Sequence, residues 1–276
     1  MNKTNPYFSI IIPTYNSAVT IQRCLSSITH QTFKAFEILI IDGGSTDTTF
    51  QLIDQVKNSN PIKWFSESDE GIYDAMNKGV KKAKGEYLYF LGSDDTFYTN
   101  NVLALIADTL AKTDAKILYG NVLINGSNKW VKDGTVHAGE FDLKRILSNN
   151  ICHQSIFYHN TLFKKLGGYN IKYNVFADYD FNLRCFAKYT FYYIDAIIAN
   201  FSVGGASSQL TDEEFDHDKS RNIIKYFFRK LFTSSFIDTR LYIQQAALSK
   251  SSNLNYATRL YCLLAYSKLK AQSLLK

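Results

Sequence analysis

The sequence predicts an α/β fold in which a mostly parallel central sheet is flanked by helices. Short apolar runs of strand length alternate with longer segments whose apolar residues recur every three to four positions. The strand-length runs contain almost no polar residues, which is typical of parallel strands buried on both faces. The chain has 276 residues, of which 46% are hydrophobic and 20% charged, so it can form a substantial core.

Five apolar runs are the predicted strands. They cover residues 7–12, 36–41, 62–65, 86–91 and 116–124. Ser17 is expected to cap the helix after the first strand, and Ser45 or Thr46 the helix after the second. Helices are predicted over 71–84 and roughly 101–112. This alternation of strands and helices is the pattern of a parallel sheet built from crossover units.

Polar and mainly acidic residues follow four of the predicted strands. The segments are Pro13–Asn16, Asp42–Gly44, Glu67–Glu70 and Ser93–Asp95. In open α/β sheets ligands bind beyond the carboxyl ends of the strands. Each segment alone reads as an ordinary polar loop, but four together predict a ligand site at one edge of the sheet.

Asp94 and Asp95 are adjacent carboxylates just past a strand. Such neighbours repel each other unless a cation neutralises them, and Mg²⁺ or Mn²⁺ binds one or two carboxylates together with substrate phosphates. A divalent cation that joins Asp95 to a diphosphate is one interpretation. Capping of the helix that follows is the other, and the two residues alone do not separate them.

Several enzyme classes lack their signature here. The dinucleotide fingerprint, the Walker A loop, the hydrolase nucleophile elbow and the zinc-protease motif are all absent from the sequence. The four cysteines are far apart, with no Cys-x-x-Cys pair, and are expected to be buried reduced thiols. No apolar run approaches the roughly 18 residues of a spanning helix, and no signal peptide is evident, so a cytoplasmic protein is expected.

The positive charge is concentrated at the C-terminal end. Residues 219–276 contain eleven lysines and arginines and a single acid, Asp238, whereas residues 1–218 carry a net negative charge. The same segment is apolar and has helical spacing, and basic amphipathic helices often lie on membrane surfaces. An anionic membrane surface is therefore the expected partner. Basic helices that simply cover the main domain are the alternative, and nucleic acid is not expected because no motif for it is present.

Four segments at the strand ends, with a second set further along, resemble the family 2 glycosyltransferases. The segments are Ser9–Asn16, Glu37–Asp47, Asp69–Gly79 and Ala83–Asp95, followed by His153–Ser155, Gly167–Tyr169 and Ala177–Arg184. The resemblance covers roughly residues 8–205 and is nearest to bacterial members that build surface polysaccharides. It implies the GT-A nucleotide-sugar fold over residues 1–210, with residues 211–276 as a basic amphipathic helical extension.

The resemblance also implies a nucleotide-sugar site. Its members would be Pro13, Thr14, Tyr15, Asp42, Asp69, Asn77, Lys78, Asp94 and His153. Tyr15 would lie near the base, Asp42 at the nucleoside and Asp69 on the base or ribose side. His153 would lie near the diphosphate or the acceptor.

The family's metal motif and catalytic base are implied at Asp94, Asp95 and Asp178. Asp95 is favoured as the direct ligand of Mn²⁺ or Mg²⁺, and Asp178 as the base that takes the proton of an acceptor hydroxyl. One base is sufficient for a single displacement that inverts the anomeric carbon. Asp180 is expected to pair with Arg184 one helical turn later. Many members read Asp-Asp-Gly-Ser where this chain has Gly43 as the second residue, and that missing acid often reads uracil.

The function expected from the resemblance is metal-dependent, inverting transfer of a sugar, most simply from a UDP-sugar, to a hydroxyl of a glycan or lipid-linked acceptor. This would take place in cell-surface polysaccharide synthesis at the inner face of the cell membrane. A catalytically idle nucleotide-sugar-binding or assembly subunit is the alternative, and the presence of both Asp95 and Asp178 argues against it. A nucleotidyltransferase would need a glycine-rich basic loop where Pro13–Ser17 stands.

Overall fold

The structure, a computed structural model, describes residues 5–57, 62–129, 131–205, 211–249 and 252–274. Nine strands in these ranges form one sheet. They are β1 (Phe8–Thr14), β2 (Phe36–Asp42), β3 (Ile62–Ser66), β4 (Tyr87–Phe90), β5 (Thr96–Phe97), β6 (Ile117–Asn125), β7 (Val136–His137), β8 (Ile156–His159) and β9 (Tyr192–Ser202). Their order across the sheet is β3-β2-β1-β4-β8-β6-β9-β5, and β7 pairs with β6.

The parallel half of the sheet is centred on β1, which pairs with β2 and β4. Every residue of β1 and β2 is buried. Because side chains alternate along a strand, Ile10 packs into the core on one face and Ile11 into the core on the other. Thr14 is in register with Asp42, so β1 and β2 end at the same edge and their polar loops meet there.

Helices cover both faces of this sheet. They are α1 (Ile21–Thr29), α2 (Thr49–Lys57), α3 (Ile72–Lys82), α4 (Val102–Ala111), α5 (Leu143–Ser148), α6 (Thr161–Leu166), α7 (Ala177–Phe186), α8 (Glu213–Phe227), α9 (Arg240–Leu248) and α10 (Tyr256–Leu274). Buried residues of α1, α2 and α4 form the core on one face, and those of α3 and α5–α10 form the core on the other.

The predicted α/β class, with its largely parallel sheet and C-terminal helices, is confirmed. The strands β3, β2, β1 and β4 are parallel as predicted. Beyond β4 the sheet no longer consists of successive parallel strands. Strand β8 lies between β4 and β6 and is antiparallel to both. This four-residue strand is too short for its periodicity to reveal its neighbours.

The C-terminal helices are bonded to the segment that precedes α7. Asp212 caps α8 by accepting the backbone N–H of Phe215 at 3.1 Å. Its other oxygen accepts the N–H groups of Val175 and Phe176 at 2.8 and 3.0 Å. Residues of α8, α9 and α10 also share one core cluster with α3 and α7. The predicted boundary between 1–210 and 211–276 adjoins residues 206–210, which lie outside the described residues, and stays a prediction.

Replacing Asp212 with alanine should destabilise the protein. Asp212 is buried, and its loss would leave three backbone N–H groups without their acceptor, so we expect the unfolding free energy to fall by about 2–4 kcal/mol. Urea unfolding measures this change. Glu213→Ala, one residue later and exposed, is the matched control and should change stability little. Equal stability of the two variants would contradict the role of Asp212.

Candidate active site

A narrow cleft opens where the parallel strands end. Its lining comes from the loop after β4, the start of α3, the 3₁₀ turn at His153–Ser155, the segment before α7 and the end of β9. The lining residues are Ile72, Tyr73, Gly92, Asp94, Asp95, His153, Gln154, Asn174, Val175, Phe201, Ser202 and Gly205. Asp94 and Asp95 are neighbours in the sequence, whereas His153 belongs to a separate motif later in the chain. The cleft brings the three residues together.

Asp95 is buried and held by two donors that are neutral. Its Oδ1 accepts the backbone N–H of Ser202 at 2.8 Å, and its Oδ2 accepts the Gln154 side-chain amide at 2.8 Å. Burial, and next the nearby Asp94 carboxylate, raise the pKa of Asp95 to about 6. Neither Asp94 nor Asp95 caps the helix that follows, because α4 begins at Val102 and Asn101 is its N-cap residue.

Both carboxylates converge on Gly92. A Cβ atom on Gly92 would lie 2.6 Å from Asp95 Oδ2 and 2.8 Å from Asp94 Oδ1, so only glycine fits. Within the described ranges no three His, Cys, Asp or Glu side chains form a metal-binding cluster. Asp94 and Asp95 bring two carboxylates together at the cleft, and one or two carboxylates are what Mg²⁺ or Mn²⁺ takes when substrate phosphates complete its coordination. The residues present fit a divalent cation held together with a diphosphate.

Asp178 lies in the first turn of α7 and contacts two residues of the cleft lining. Its Oδ1 accepts the N–H of Tyr179 at 2.7 Å and lies 3.0 Å from the Tyr73 hydroxyl. Its Oδ2 is 3.2 Å from His153 Nδ1. Burial, and then the Asp178 carboxylate, raise the pKa of Tyr73 well above its usual value, so the hydroxyl stays protonated and can donate.

His153 is held in one orientation by this contact. If Nδ1 carries the proton and donates it to Asp178, Nε2 is left as an acceptor. Nε2 is buried and makes no hydrogen bond with any residue that the structure describes. In this tautomer Nε2 can accept a hydrogen bond from a hydroxyl group, whereas a diphosphate oxygen would need Nε2 to carry a proton. The predicted place of His153 near the diphosphate or the acceptor stays a prediction.

The carboxylate of Asp42 is committed to the turn that follows β2. Oδ2 accepts the N–H groups of Gly44 and Ser45 at 3.2 and 3.0 Å and the Ser66 hydroxyl at 2.6 Å, while Oδ1 accepts the Ser45 hydroxyl. Asp42 is fully buried and shapes the loop beside Thr14. Its predicted contact with the nucleoside stays a prediction.

Asp69 lies against Gly43. A Cβ atom on Gly43 would be 2.6 Å from Asp69 Oδ2, so the carboxylate takes up the space of the side chain that position 43 lacks. Asp69 Oδ1 accepts the N–H of Gly71 at 3.0 Å, which holds the side chain in place. Gly43 in turn donates its N–H to the Thr14 carbonyl at 2.9 Å. Asp69 is thereby next to the end of β1, where Pro13, Thr14 and the exposed Tyr15 lie.

Asn77 and Lys78 hold loops together away from Asp94 and Asp95. The Asn77 amide donates to the Tyr169 carbonyl at 2.9 Å and accepts the Tyr169 N–H at 2.8 Å. It borders a separate cavity of about 650 Å³ between α3 and α6. Lys78 donates to the Ser68 carbonyl at 2.7 Å and pairs with Asp74 at 3.1 Å. Their predicted contacts with the nucleotide stay predictions.

A sequence profile described as glycosyl transferase family 2 matches residues 9–175. The chain belongs to this family. It is 41% identical over 218 residues to the PGL/p-HBAD biosynthesis glycosyltransferase of Mycobacterium bovis (strain BCG / Pasteur 1173P2), covering 76% of this chain and 82% of that one. It is 29% identical over 221 residues to the chondroitin synthase of Pasteurella multocida, covering 79% of this chain and 23% of that one. The predicted family and its glycosyltransferase activity are confirmed.

Solved structures share the fold of this family 2 member. S. aureus TarS 1-349 in complex with UDP-GlcNAc superposes with a TM-score of 0.65 at 19% identity, over 96% of this chain and 91% of that one. The mannosyltransferase PcManGT from Pyrobaculum calidifontis in complex with GDP-Man and Mn²⁺ has a TM-score of 0.59 at 15% identity, over 99% and 76% of the two chains. At these identities the likeness shows the fold.

Sequence reasoning missed three residues that organise the cleft of this glycosyltransferase. Gln154 and Ser202 hold Asp95, and Tyr73 contacts Asp178. Gln154 and Tyr73 lie inside motifs that resemble the family, which is a signal that could have found them. Ser202 ends an ordinary-looking strand, and the sequence gives no sign of its contact with Asp95.

Replacing Asp95 with asparagine should stabilise the metal-free protein at pH 7. The raised pKa means that the charged form of Asp95 opposes folding. This cost begins as the pH rises above the ordinary carboxyl pKa of 3.8 and is complete above about pH 6. We expect a gain of about 2–3 kcal/mol at pH 7 and roughly half of that at pH 5. Urea unfolding at both pH values measures it, with Asp108→Asn, which changes an exposed acid on α4, as the control. A loss at pH 7 that exceeds any loss at pH 5 would contradict this account.

Proposed function

We propose that this glycosyltransferase moves a sugar from a UDP-sugar to a hydroxyl of a glycan or lipid-linked acceptor, with inversion, in the synthesis of a cell-surface glycan at an anionic membrane surface. One observation carries the proposal: Asp94, Asp95 and the Asp178–His153 pair meet at one cleft beyond the parallel strands. The M. bovis relative is named for PGL/p-HBAD biosynthesis, and TarS is described with UDP and UDP-GlcNAc. Both names support the nucleotide and glycan classes proposed here.

Asp178 is the proposed general base. Its Oδ1 accepts the Tyr179 N–H at 2.7 Å and lies 3.0 Å from the Tyr73 hydroxyl, which also donates to the Val175 carbonyl at 2.5 Å. Among the described residues Oδ2 has the longer 3.2 Å contact with His153, so we assign the proton to Oδ2. The acceptor oxygen forms a bond to the anomeric carbon as its proton passes to Asp178. The bond from that carbon to the diphosphate oxygen breaks, and its electron pair leaves with the nucleoside diphosphate.

Asp95 and Asp94 are the proposed holders of a divalent cation. When bound, such an ion offsets the negative charge that gathers on the leaving diphosphate. The two carboxylates suit this role because they converge over Gly92, which has no side chain of its own to separate them. Gln154 and Ser202 keep Asp95 in position through the two bonds already described.

Asp69 is the proposed reader of the base. It stands in the space of the acid that many family members have at position 43, beside Thr14 and Tyr15. A carboxylate only accepts hydrogen bonds, so it suits the N3–H of uracil and repels the N3 lone pair of cytosine. In this interpretation Gly43 and Asp69 compensate each other, and uridine recognition survives the missing acid.

Asp178→Asn should abolish transfer while nucleotide binding is retained. Asparagine keeps the shape and one acceptor oxygen but cannot take the proton, so we expect turnover to fall by at least about 10³-fold and the Kd for UDP to change less than about twofold. Release of UDP from UDP-sugars in the presence of glycolipid acceptors measures turnover, and calorimetry measures the Kd.

Asp180→Asn is the matched control, since it makes the same change two residues later on α7. Asp180 bonds Arg184 at 3.0 Å and Tyr226 at 2.7 Å and, unlike Asp178, has no hydrogen bond to a residue of the described cleft lining. This variant should therefore keep most of its turnover, and its folding is checked by urea unfolding. Turnover of Asp178→Asn within tenfold of the wild type would overturn the assignment of the base.

Moving the acidic side chain from position 69 to position 43 tests whether Asp69 recognises the nucleotide base. We expect Asp69→Ala to weaken UDP binding by at least about tenfold and to remove the preference for UDP over CDP. The double variant Gly43→Asp with Asp69→Ala should restore both, because the new side chain enters the vacated space. Thermal shifts and calorimetry with UDP, CDP and GDP, each with Mn²⁺ or Mg²⁺, provide the measurement.

Glu70→Ala, which removes the neighbouring exposed acid, is the control and should bind UDP normally. If Asp69→Ala weakens UDP and CDP equally, Asp69 does not read the base. If the wild-type protein binds no nucleoside diphosphate with either metal, the proposed function itself fails.

A further inference from the structure

Helix α10 presents an apolar stripe to solvent. Tyr256, Leu260, Leu264 and Leu274 are 82%, 47%, 56% and 79% exposed. Their spacing places them on one side of a helix that turns about 100° per residue. Ser267 and Ala271 are also exposed and lie between them on that side. These six residues form what we call the α10 stripe, which extends over a helix about 28 Å long.

The opposite side of α10 attaches the helix to the protein. Cys262, Ala265 and Leu269 are completely buried in the core that also contains α8 and α9. Arg259 donates to the carbonyls of Ala247 and Ser249 and so fixes α10 to the end of α9. The α10 stripe therefore lies on the side of the helix away from its contacts with the described part of the chain. A large exposed apolar patch on a soluble chain commonly marks an interaction surface.

Two lysines border the α10 stripe. Lys268 follows Leu264 by four residues and Lys270 precedes Leu274 by four, which places them on opposite sides of the stripe. Both are exposed. Helix α10 contains no acidic residue, and Asp238 is the single acid in residues 219–276. The charged side chains of α10 itself are therefore all positive, and an occupant of the stripe must tolerate this positive charge or supply negative charge of its own.

A second copy of the chain fits this surface poorly. The spacing of Leu260, Leu264, Ser267, Ala271 and Leu274 alternates between four and three residues, as in the seam of a coiled coil. Two such helices would bring Lys268 and Lys270 close to the same lysines, with no acid on α10 to pair with them. Serine and alanine in the middle of the seam also provide little apolar area.

An anionic lipid surface fits both features. A helix that lies in the plane of a membrane buries an apolar side at the acyl boundary, while flanking lysines reach the headgroups. Among the described residues no helix is long and apolar enough to cross a membrane. We infer that α10 lies flat on an anionic membrane surface with the stripe toward the lipid. This deepens the proposed function and rests on it, since a lipid-linked acceptor would be found at that surface.

Vesicle flotation with the full-length protein tests the inference. We expect binding to vesicles of phosphatidylcholine with phosphatidylglycerol and little binding to phosphatidylcholine alone. Leu260→Ser with Leu264→Ser should weaken binding by at least about tenfold, because each exposed leucine loses its apolar contact. Lys268→Gln with Lys270→Gln should weaken it by about fivefold or more and reduce its dependence on salt.

Matched controls make the same changes elsewhere. Leu105→Ser on α4 removes another exposed leucine, and Lys112→Gln with Lys116→Gln removes two exposed charges. Both controls should bind vesicles like the wild type. The inference is overturned if stripe and control variants bind alike, if binding ignores phosphatidylglycerol, or if sedimentation shows a dimer that the leucine changes dissociate. UDP affinity, measured without vesicles, reports separately on the proposed function, because the stripe variants keep the cleft intact.

Discussion

The structure depends on the complete burial of β1 between β2 and β4. A strand covered on both faces cannot hold an unpaired charge, so the acids of the candidate site in this half of the sheet occur where the strands end. The exception supports the rule: buried Glu37 on β2 is paired with Lys63 at 2.6 Å and accepts the Ser9 hydroxyl at 2.7 Å. Because the strands are parallel and in register, Asp42 and the loop that carries Asp95 reach the same edge.

Two buried acids at that edge are stabilised by neutral donors, and the difference between them is informative. Asp42 receives bonds from its own turn and from Ser66, which fix the local backbone. Asp95 receives bonds from Gln154 and Ser202, distant in the sequence, and still has a raised pKa. The first acid contributes to folding, whereas the second is held at a cost to stability, which is common for groups kept for binding or catalysis.

Local patterns in the sequence predicted the strands, most helices and the acidic edge. They could not predict which donors satisfy which acid, since those contacts join residues far apart. Ser45 or Thr46 was expected to cap α2, but the Ser45 hydroxyl bonds Asp42, and the Thr49 N–H at the start of α2 is accepted by Asp47 at 3.0 Å. Asp180 and Arg184, one turn apart on α7, form the predicted pair because helix geometry alone brings them together. The sequence showed that position 43 lacks an acid that often reads uracil, but it could not show that the Asp69 carboxylate lies where a side chain at position 43 would be.

The bonds between α7 and α8 have a consequence for how this enzyme can diversify. Asp180 on α7 accepts the Tyr226 hydroxyl at 2.7 Å, and Asp212 binds the backbone that leads into α7. Substitutions in α8 are therefore expected to affect the position of α7, the helix that carries Asp178. The outer side of α10 touches none of these groups, so it can drift in sequence independently. If α10 lies on a membrane as inferred, descendants of this chain could change the surface they bind by altering one helix face, without any change in the residues of the cleft.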